Sequence, residues 1–503
     1  MIPVLRDYQI EDIEELRRRF RAGAHSVLYQ APTASGKTVF FAEIVRSAEA
    51  KGNPVWVVVH RQELVDQTSR ALTALSVPHE IVAAGRFHAG NGAVSVCSVQ
   101  TLVRRLDKMG DVKLMVLDEA HHSVAGTWDK VISSRPDALL LGVTATPERL
   151  DGRGLGREYG GHFDVLIEGP TVEALTAQGY LAPARVYIPP QVADLAGLKT
   201  RAGDYAAGDA ALRMDRPTVT GDAIEHYERI CPGASAIVFC TRIQHAENVA
   251  AAFRKKGWRA ESIDGTLPDA ARRHRIRALG TGHLQILTSC EIVSEGTDIP
   301  IVAAAILLRP TQSLGMHLQQ IGRVLRPAPD KTHATILDHV GNSVRHGFPD
   351  DPRDWSLGGR PKGRADDRAP PIRVCPQCFA AFRPAPVCLY CGFEYPIQER
   401  EVDQVQGDLV EAGDQERNFI RYQRNQTRSQ VGRAIDREAL ERIAEERGYK
   451  TGWVDYVLNA RAKKKGLPLR QGIYPAIDPS GTIKEIKGEP ADAPVSVYAG
   501  IPE

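Results

Sequence analysis

Two textures alternate along residues 1–345. Short, continuously apolar runs recur: HSVLYQ at 25–30, VWVVV at 55–59, AVSVCSV at 93–99, LMVLD at 114–118 and LLLGVTA at 139–145. Runs of this length suit strands buried on both faces of a parallel sheet. Between them lie Glu-, Arg- and Ala-rich stretches of helical period, such as 9–20 and 61–75. A second series follows, with ASAIVFC at 234–240, LQILTS at 284–289, AAAILL at 303–308 and ATILD at 334–338, again separated by helical pieces such as 243–257. This rhythm predicts two doubly wound α/β domains in tandem, 1–183 and 184–345, with an irregular join over 190–233. The texture then changes. Residues 346–372 are rich in Pro, Gly and charge and read as a linker. A cysteine cluster occupies 373–395, a basic helical accessory region 396–465, and a loosely structured tail 466–503.

Composition narrows the picture only partly. Of 503 residues, 43% are hydrophobic and 25% charged, which excludes a disordered or collagen-like chain. The 64 Lys and Arg nearly cancel the 62 Asp and Glu, leaving +2, so a nucleic-acid partner is not announced by the whole-chain charge. The first residues, MIPVLRDYQ, lack the basic and apolar regions of a signal peptide. The longest apolar runs fall far short of the ~20 residues of a membrane span. A cytoplasmic, non-membrane protein is expected.

The candidate chemistry begins at APTASGKT, 31–38, which follows a predicted strand and precedes a predicted helix. That context is the one a phosphate-binding loop requires. Backbone N–H groups of Thr33, Ala34, Ser35 and Gly36 can cradle phosphates at a helix N-terminus. Lys37 can reach the outer phosphates, and the Thr38 hydroxyl can bind Mg²⁺. The run LMVL ends in Asp118-Glu119-Ala120-His121, which sets a carboxylate pair at the C-terminal end of a strand beside that loop. Asp118 can then hold the magnesium ion of ATP, and Glu119 can polarise the attacking water.

With these motifs in hand, the chain resembles the superfamily 2 helicases and translocases, specifically their DEAH-type bacterial and phage branch. LRDYQ at 5–9 is similar to the Q-motif, which would assign Arg6 and Gln9 to the nucleotide. VVVHRQELVDQ at 57–67 resembles motif Ia, VQTL at 99–102 the next backbone-contacting motif, and TATPERLDG at 144–152 motif III. In the second domain, IVFCTR at 237–242 resembles motif IV, TSCEIVSEGTDIP at 288–300 motif V, and QQIGRVLR at 319–326 motif VI. The resemblance implies two RecA-like domains and a catalytic set of Lys37, Asp118, Glu119 and His121. It implies Arg323 and Arg326 as arginine fingers across the cleft, and Gly296 and Asp298 at the nucleotide. It further implies nucleic-acid contacts from Arg61, Thr101, Thr241, Arg242 and Thr288. The motifs with a trailing zinc ribbon look most similar to RadD-like DNA-repair helicases and phage relatives. The chain departs from the pattern at Ala34, where relatives usually carry glycine, and at Gln320, where many carry arginine.

Cys375-Pro-Gln-Cys378 and Cys388-Leu-Tyr-Cys391 form two CxxC knuckles. Four thiolates at this spacing suit tetrahedral Zn²⁺, with a disulfide pair as the alternative. Beyond them Arg417, Arg421, Arg424 and Arg428 fall on one helical stripe. Residues 415–465 hold 13 Lys/Arg against 7 Asp/Glu, a local net of +6. Such a stripe can track phosphates or be a solvated helix face. The function expected is an ATP-dependent helicase or translocase, favouring DNA over RNA, with a possible repair or recombination protein partner. Two alternatives stay open: a restriction-type translocase working with a nuclease, and a zinc-containing protein in which ATP acts only as a switch.

Overall fold

In the computed structural model the chain falls into two compact units, residues 1–397 and 398–503. The structure describes residues 4–87, 92–149, 152–190, 195, 197–201, 204–290, 301–359, 370–396, 437–446, 452–464, 474–477 and 483–486.

The first domain is built on eight strands: β1 (Ser26–Gln30), β2 (Val55–Val59), β3 (Glu80–Ala83), β4 (Arg86–Phe87), β5 (Val94–Ser98), β6 (Leu114–Asp118), β7 (Leu139–Thr144) and β8 (Val165–Glu168). They lie in the order β4-β3-β5-β2-β6-β7-β1-β8, parallel throughout except for the β3–β4 pair. β1, β2 and β6 are buried at every position because helices cover both faces of the sheet. Each face has its own apolar core, one around Val27, Phe41 and Val57, the other around Leu28, Trp56 and Leu117.

The second domain begins at β9 (Ala184–Tyr187). After a short hairpin, β10 (Thr200–Arg201) and β11 (Asp204–Tyr205), come β12 (Ala236–Phe239), β13 (Ala260–Ile263), β14 (Ile286–Ser289), β15 (Ala304–Leu307) and β16 (Ala334–Asp338). Residues 190–233, expected to be irregular, instead carry helices Ala207–Met214 and Pro217–Ile230. The second starts with proline at its first position and buries Thr220, Ala223, Ile224 and Tyr227, one face at helical spacing. Its small and polar members hid that period.

Two segments differ from expectation in the same way, by being built into the two α/β domains. The cysteine module contributes β17 (Arg373–Val374) and β18 (Ala380–Phe382), and β18 pairs antiparallel with β9. The second sheet therefore runs β13-β14-β12-β15-β16-β9-β18-β17, and Ala381 is buried in its core. The expected linker, over residues 348–359, returns to the first domain. Leu357 O accepts from Gly156 N at 3.0 Å, and Arg153 bridges to Gly359. The Arg353 guanidinium fixes the turn by donating to the carbonyls of Phe348 and Asp351 at 2.7 and 2.8 Å. Asp351 is also ion-paired to Arg383 of the cysteine module.

In the C-terminal unit, helices Arg437–Glu446 and Trp453–Lys464 meet through Leu440 and Val454, with Arg437 paired to Asp455 at 2.6 Å. The expected loose tail carries an antiparallel hairpin, Tyr474–Ile477 with Ile483–Ile486. Arg417, Arg421, Arg424 and Arg428 lie outside the described residues, as do Gly296 and Asp298. Among the described residues, no helix is long and apolar enough to cross a membrane.

Candidate nucleotide site and nucleic-acid face

β1 delivers the phosphate loop. Gln30 at its end donates to Ala145 O at 3.0 Å, and Ala31 N donates to Thr144 O at 3.0 Å, which pins the loop to the end of β7. Helix Lys37–Glu49 starts from Gly36, whose φ of 88° is open to glycine at no steric cost. Ala34 sits at φ 71°, so the position where relatives carry glycine does require the left-handed region. Such a conformation costs alanine about 1–2 kcal/mol. Ala34→Gly is therefore expected to tighten ATP binding by up to about fivefold, the equivalent of about 1 kcal/mol, in titration calorimetry. Unchanged affinity would mean that the strain does not bear on nucleotide binding.

Lys37 Nζ donates to the carbonyls of Ala31 and Pro32, each at 3.0 Å. Burial pulls its ammonium below the ordinary lysine range. The carboxylates of Glu119 and Asp118 oppose that, and the guanidiniums of Arg323 and Arg326 add to it. Both arginines come from the second domain, at and just beyond the end of helix Leu314–Gly322. The Walker-type lysine, the carboxylate pair and the two candidate fingers thus share one electrostatic site. They line a cavity of about 340 Å³ between the two domains, with Arg6, Thr38 and Gln67.

Asp118 is the last residue of β6, and Glu119 follows in the left-handed region at φ 53°. That turn buries Glu119 Oε2 with no hydrogen-bond partner, 3.5 Å from His121 Nδ1. His121 Nδ1 also meets Thr144 Oγ1 at 3.2 Å, linking the carboxylate to the strand end that opens motif III. A buried carboxylate oxygen without a hydrogen bond and a lysine that donates to loop carbonyls fit a site completed by phosphates and a cation. Thr38 and Asp118 are the side chains that could hold Mg²⁺. Gln67, not singled out by the sequence, donates to Thr38 Oγ1 at 3.2 Å. Its only signal was membership of the motif Ia helix.

At the Q-motif, Gln9 is buried, with Oε1 accepting from Arg6 N at 3.0 Å and Nε2 donating to Gly36 O at 3.1 Å. Arg6 lies over the Tyr180 ring at 4.3 Å, and its guanidinium meets Ser35 O. The Tyr8 hydroxyl, also bonded to Ser35 O, is a member of this cluster that spacing alone did not reveal.

The expected nucleic-acid contacts separate into two groups. Arg61, Thr101 and Arg242 lie just beyond the C-terminal ends of β2, β5 and β12. Gln100 Nε2 donates to His60 O at 3.0 Å and ties the first two motifs together. Thr241 and Thr288 are placed otherwise. Thr241 Oγ1 is buried against His245 Nδ1 at 3.0 Å, and Thr288 Oγ1 donates to Ala246 O at 2.7 Å. As they stand, these hydroxyls are engaged within the second domain and reach no outside backbone.

The four clustered cysteines converge, with all four sulfurs within 4.8 Å of one another. Cys375 Sγ lies 3.6 Å from Cys391 Sγ, and Cys378 Sγ 3.7 Å from Cys388 Sγ. A tetrahedral ion with metal–sulfur bonds of about 2.3 Å sets its ligands about 3.8 Å apart, so the set fits Zn²⁺ and is too open for disulfides. Burial opposes ionisation of Cys375, but the N–H groups of Cys378 and Gln377 and the neighbouring thiols outweigh it and hold that thiol down to about 6. Each knuckle is followed by a left-handed residue, Phe379 (φ 64°) and Gly392 (φ 75°). The Phe379 ring is covered by Arg229 at 4.6 Å and met by His226 at 5.5 Å, and the Phe379 N–H donates to Cys375 O at 2.9 Å.

Comparisons with known proteins agree with this geometry. Residues 2–149 match the family described as "Type III restriction enzyme, res subunit", and residues 222–328 match "Helicase conserved C-terminal domain". A 51.5 kDa protein of a Lactococcus phage is 32% identical over 376 residues, 74% of this chain and 79% of that protein. A candidate ATP-dependent helicase, IRC3, of Saccharomyces cerevisiae is 28% identical over 68% of this chain. This chain spans only about half of the yeast protein, 52%. Among solved structures, a fragment of a candidate HsdR subunit of a type I restriction enzyme from Vibrio vulnificus superposes with TM-score 0.53 at 19% identity, over 69% of this chain and 68% of that one.

Proposed function

The chain belongs to the superfamily 2 helicases, ATP-dependent motors acting on nucleic acid, and we propose that its track is DNA. The observation that carries the motor reading is the cleft in which Lys37, Asp118 and Glu119 of one domain face Arg323 and Arg326 of the other. Lys37 exchanges its two loop carbonyls for the outer phosphates of ATP. Thr38 and Asp118 would hold Mg²⁺, which would supply charge neutralisation there. Glu119 orients the water and takes its proton, while His121 positions that carboxylate against Thr144. Arg323 and Arg326 meet the charge that develops as the terminal phosphate leaves, so hydrolysis depends on closure of the cleft. Arg61, Thr101 and Arg242 hold the backbone rather than the bases, which makes movement independent of sequence. Arg417, Arg421, Arg424 and Arg428, by their sequence spacing, are proposed as further nucleic-acid contacts.

DNA is favoured over RNA because the first domain matches a restriction-enzyme family model. That match also supports a second reading, a duplex translocase acting beside a nuclease. The four-cysteine cluster behind the motor supports a setting in DNA repair or recombination. The deciding experiment measures ATP hydrolysis with single-stranded DNA, duplex DNA and RNA, with Lys37→Ala as the inactive control. Acceleration by DNA and not by RNA is expected. Duplex stimulation without strand separation would favour the translocase, and acceleration by RNA alone would overturn the proposal. Hydrolysis indifferent to all three would leave a nucleotide switch.

The cysteine cluster is proposed to hold one zinc ion. Because β18 completes the second sheet, Cys375→Ser is expected to lose the metal and lower the melting temperature by roughly 5–10 °C. Metal analysis and a thermal melt check this, and protein that contains no zinc when purified without chelator rules the assignment out.

A further inference from the structure

Helix Leu314–Gly322 leads directly into Arg323 and Arg326, and glycines stand near both of its ends. Gly315 and Gly322 are seven residues, about two turns, apart and so share one face. That face lies on the first domain. A Cβ added at Gly322 would come within 2.4 Å of Thr33 Cβ in the phosphate loop. One added at Gly315 would come within 2.9 Å of Thr146 Oγ1, but 3.7 Å from Thr146 Cβ. Gly322 lies inside the motif VI run; Gly315 lies outside every motif that carries the family resemblance.

Thr146 is buried and closes a chain of contacts from the hydrolytic carboxylate. Glu119 Oε2 lies 3.5 Å from His121 Nδ1, and His121 meets Thr144 Oγ1 at 3.2 Å. Thr144 Oγ1 then donates to Thr146 O at 3.0 Å and accepts from Thr146 N at 3.2 Å. Where Thr146 sits is therefore tied to where Glu119 sits. Opposite its hydroxyl the helix presents Gly315, a residue with no side chain.

We propose that Gly315 is a positioning residue for hydrolysis: its missing side chain seats Thr146, and that seat sets how deeply Arg323 and Arg326 enter the cleft. A methyl group at 315 lifts the N-terminal end of the helix off motif III by the overlap it creates. The arginines then stop short of the phosphate although nothing at the phosphate loop has changed. The inference rests on the motor reading above and is separable from it by experiment.

The test is Gly315→Ala, alone and with Thr146→Ala, which removes the oxygen that the methyl would strike. Alanine favours a helix over glycine, so the second domain of the variant folds at least as well. Basal and DNA-stimulated kcat and the KM for ATP are measured for wild type, both single variants and the double variant. Gly315→Ala is expected to lower kcat at least about tenfold with KM within about threefold, and Thr146→Ala in the double variant to restore most of the loss. Wild-type kcat in Gly315→Ala, or a loss that the double variant leaves in place, overturns the seat. If wild-type hydrolysis is indifferent to DNA, the motor reading falls, and the seat is still decided by the basal rates.

Discussion

Glu119→Gln is expected to lower nucleic-acid-stimulated ATP hydrolysis by about 10³-fold while ATP still binds. General-base and water-orienting groups contribute about 10²–10⁴. Glu119 has the features of such a group. Its oxygen Oε2 is buried without a hydrogen-bond partner, and its backbone is held at φ 53° by the turn after β6. A buried carboxylate oxygen without a hydrogen bond in the free protein is costly unless a later partner completes it. Glutamine preserves the shape and removes the charge, so packing around His121 and Thr144 survives. Removing that negative charge also takes away a repulsion on the ATP phosphates. ATP affinity measured by calorimetry should therefore hold or rise, while single-turnover hydrolysis collapses. A rate loss below about tenfold would deny Glu119 the role.

Arg323→Ala should have an effect of the same order, about 10³-fold or more in kcat, for a different reason. Arg323 is 6% exposed, belongs to the other domain and already depresses the Lys37 ammonium electrostatically. Its guanidinium lines the same cavity as Lys37, where it can act on the phosphates. Arg323→Lys keeps a charge but loses the planar fork, so only partial recovery is expected. Combined with Glu119→Gln, the two losses should not multiply, because both act on one transition state. Single-turnover rates of the three variants check this, and full activity in Arg323→Ala would remove the finger from the mechanism.

Much of this site could be read before folding. VWVVV and LMVLD are apolar at every position because helices cover both faces of the sheet, and the order of motifs placed Lys37, Asp118 and Glu119. β13, with Glu261 and Ser262 at its centre, offered no such run, since it lies at the edge of its sheet. The ends of motifs IV and V were legible as words but not as geometry. Thr241 and Thr288 look like surface hydroxyls in a string, yet each lies within its own domain's packing. Contacts between elements distant in the chain left no trace in spacing. Thr146 against Gly315, and Gln67 on Thr38, exist only once separate elements are brought together. Likewise 348–359 has the composition of a linker, because what orders it is a backbone pairing with Gly156 and Arg153 and a few local bonds such as those of Arg353, none of which shows as an apolar period.

That pairing has a mechanical corollary. The second domain is joined to the first at two separated places, the stretch 169–183 between β8 and β9 and the returning segment 348–359. A body pinned at one point can rotate about three axes; pinned at two, it can rotate only about the line through them. While both attachments hold, opening and closing of the nucleotide cleft reduces to a swing in one plane, like a door on two hinges. In the motor proposed above, each turnover would carry Arg61 and Arg242 relative to one another along a single repeatable arc.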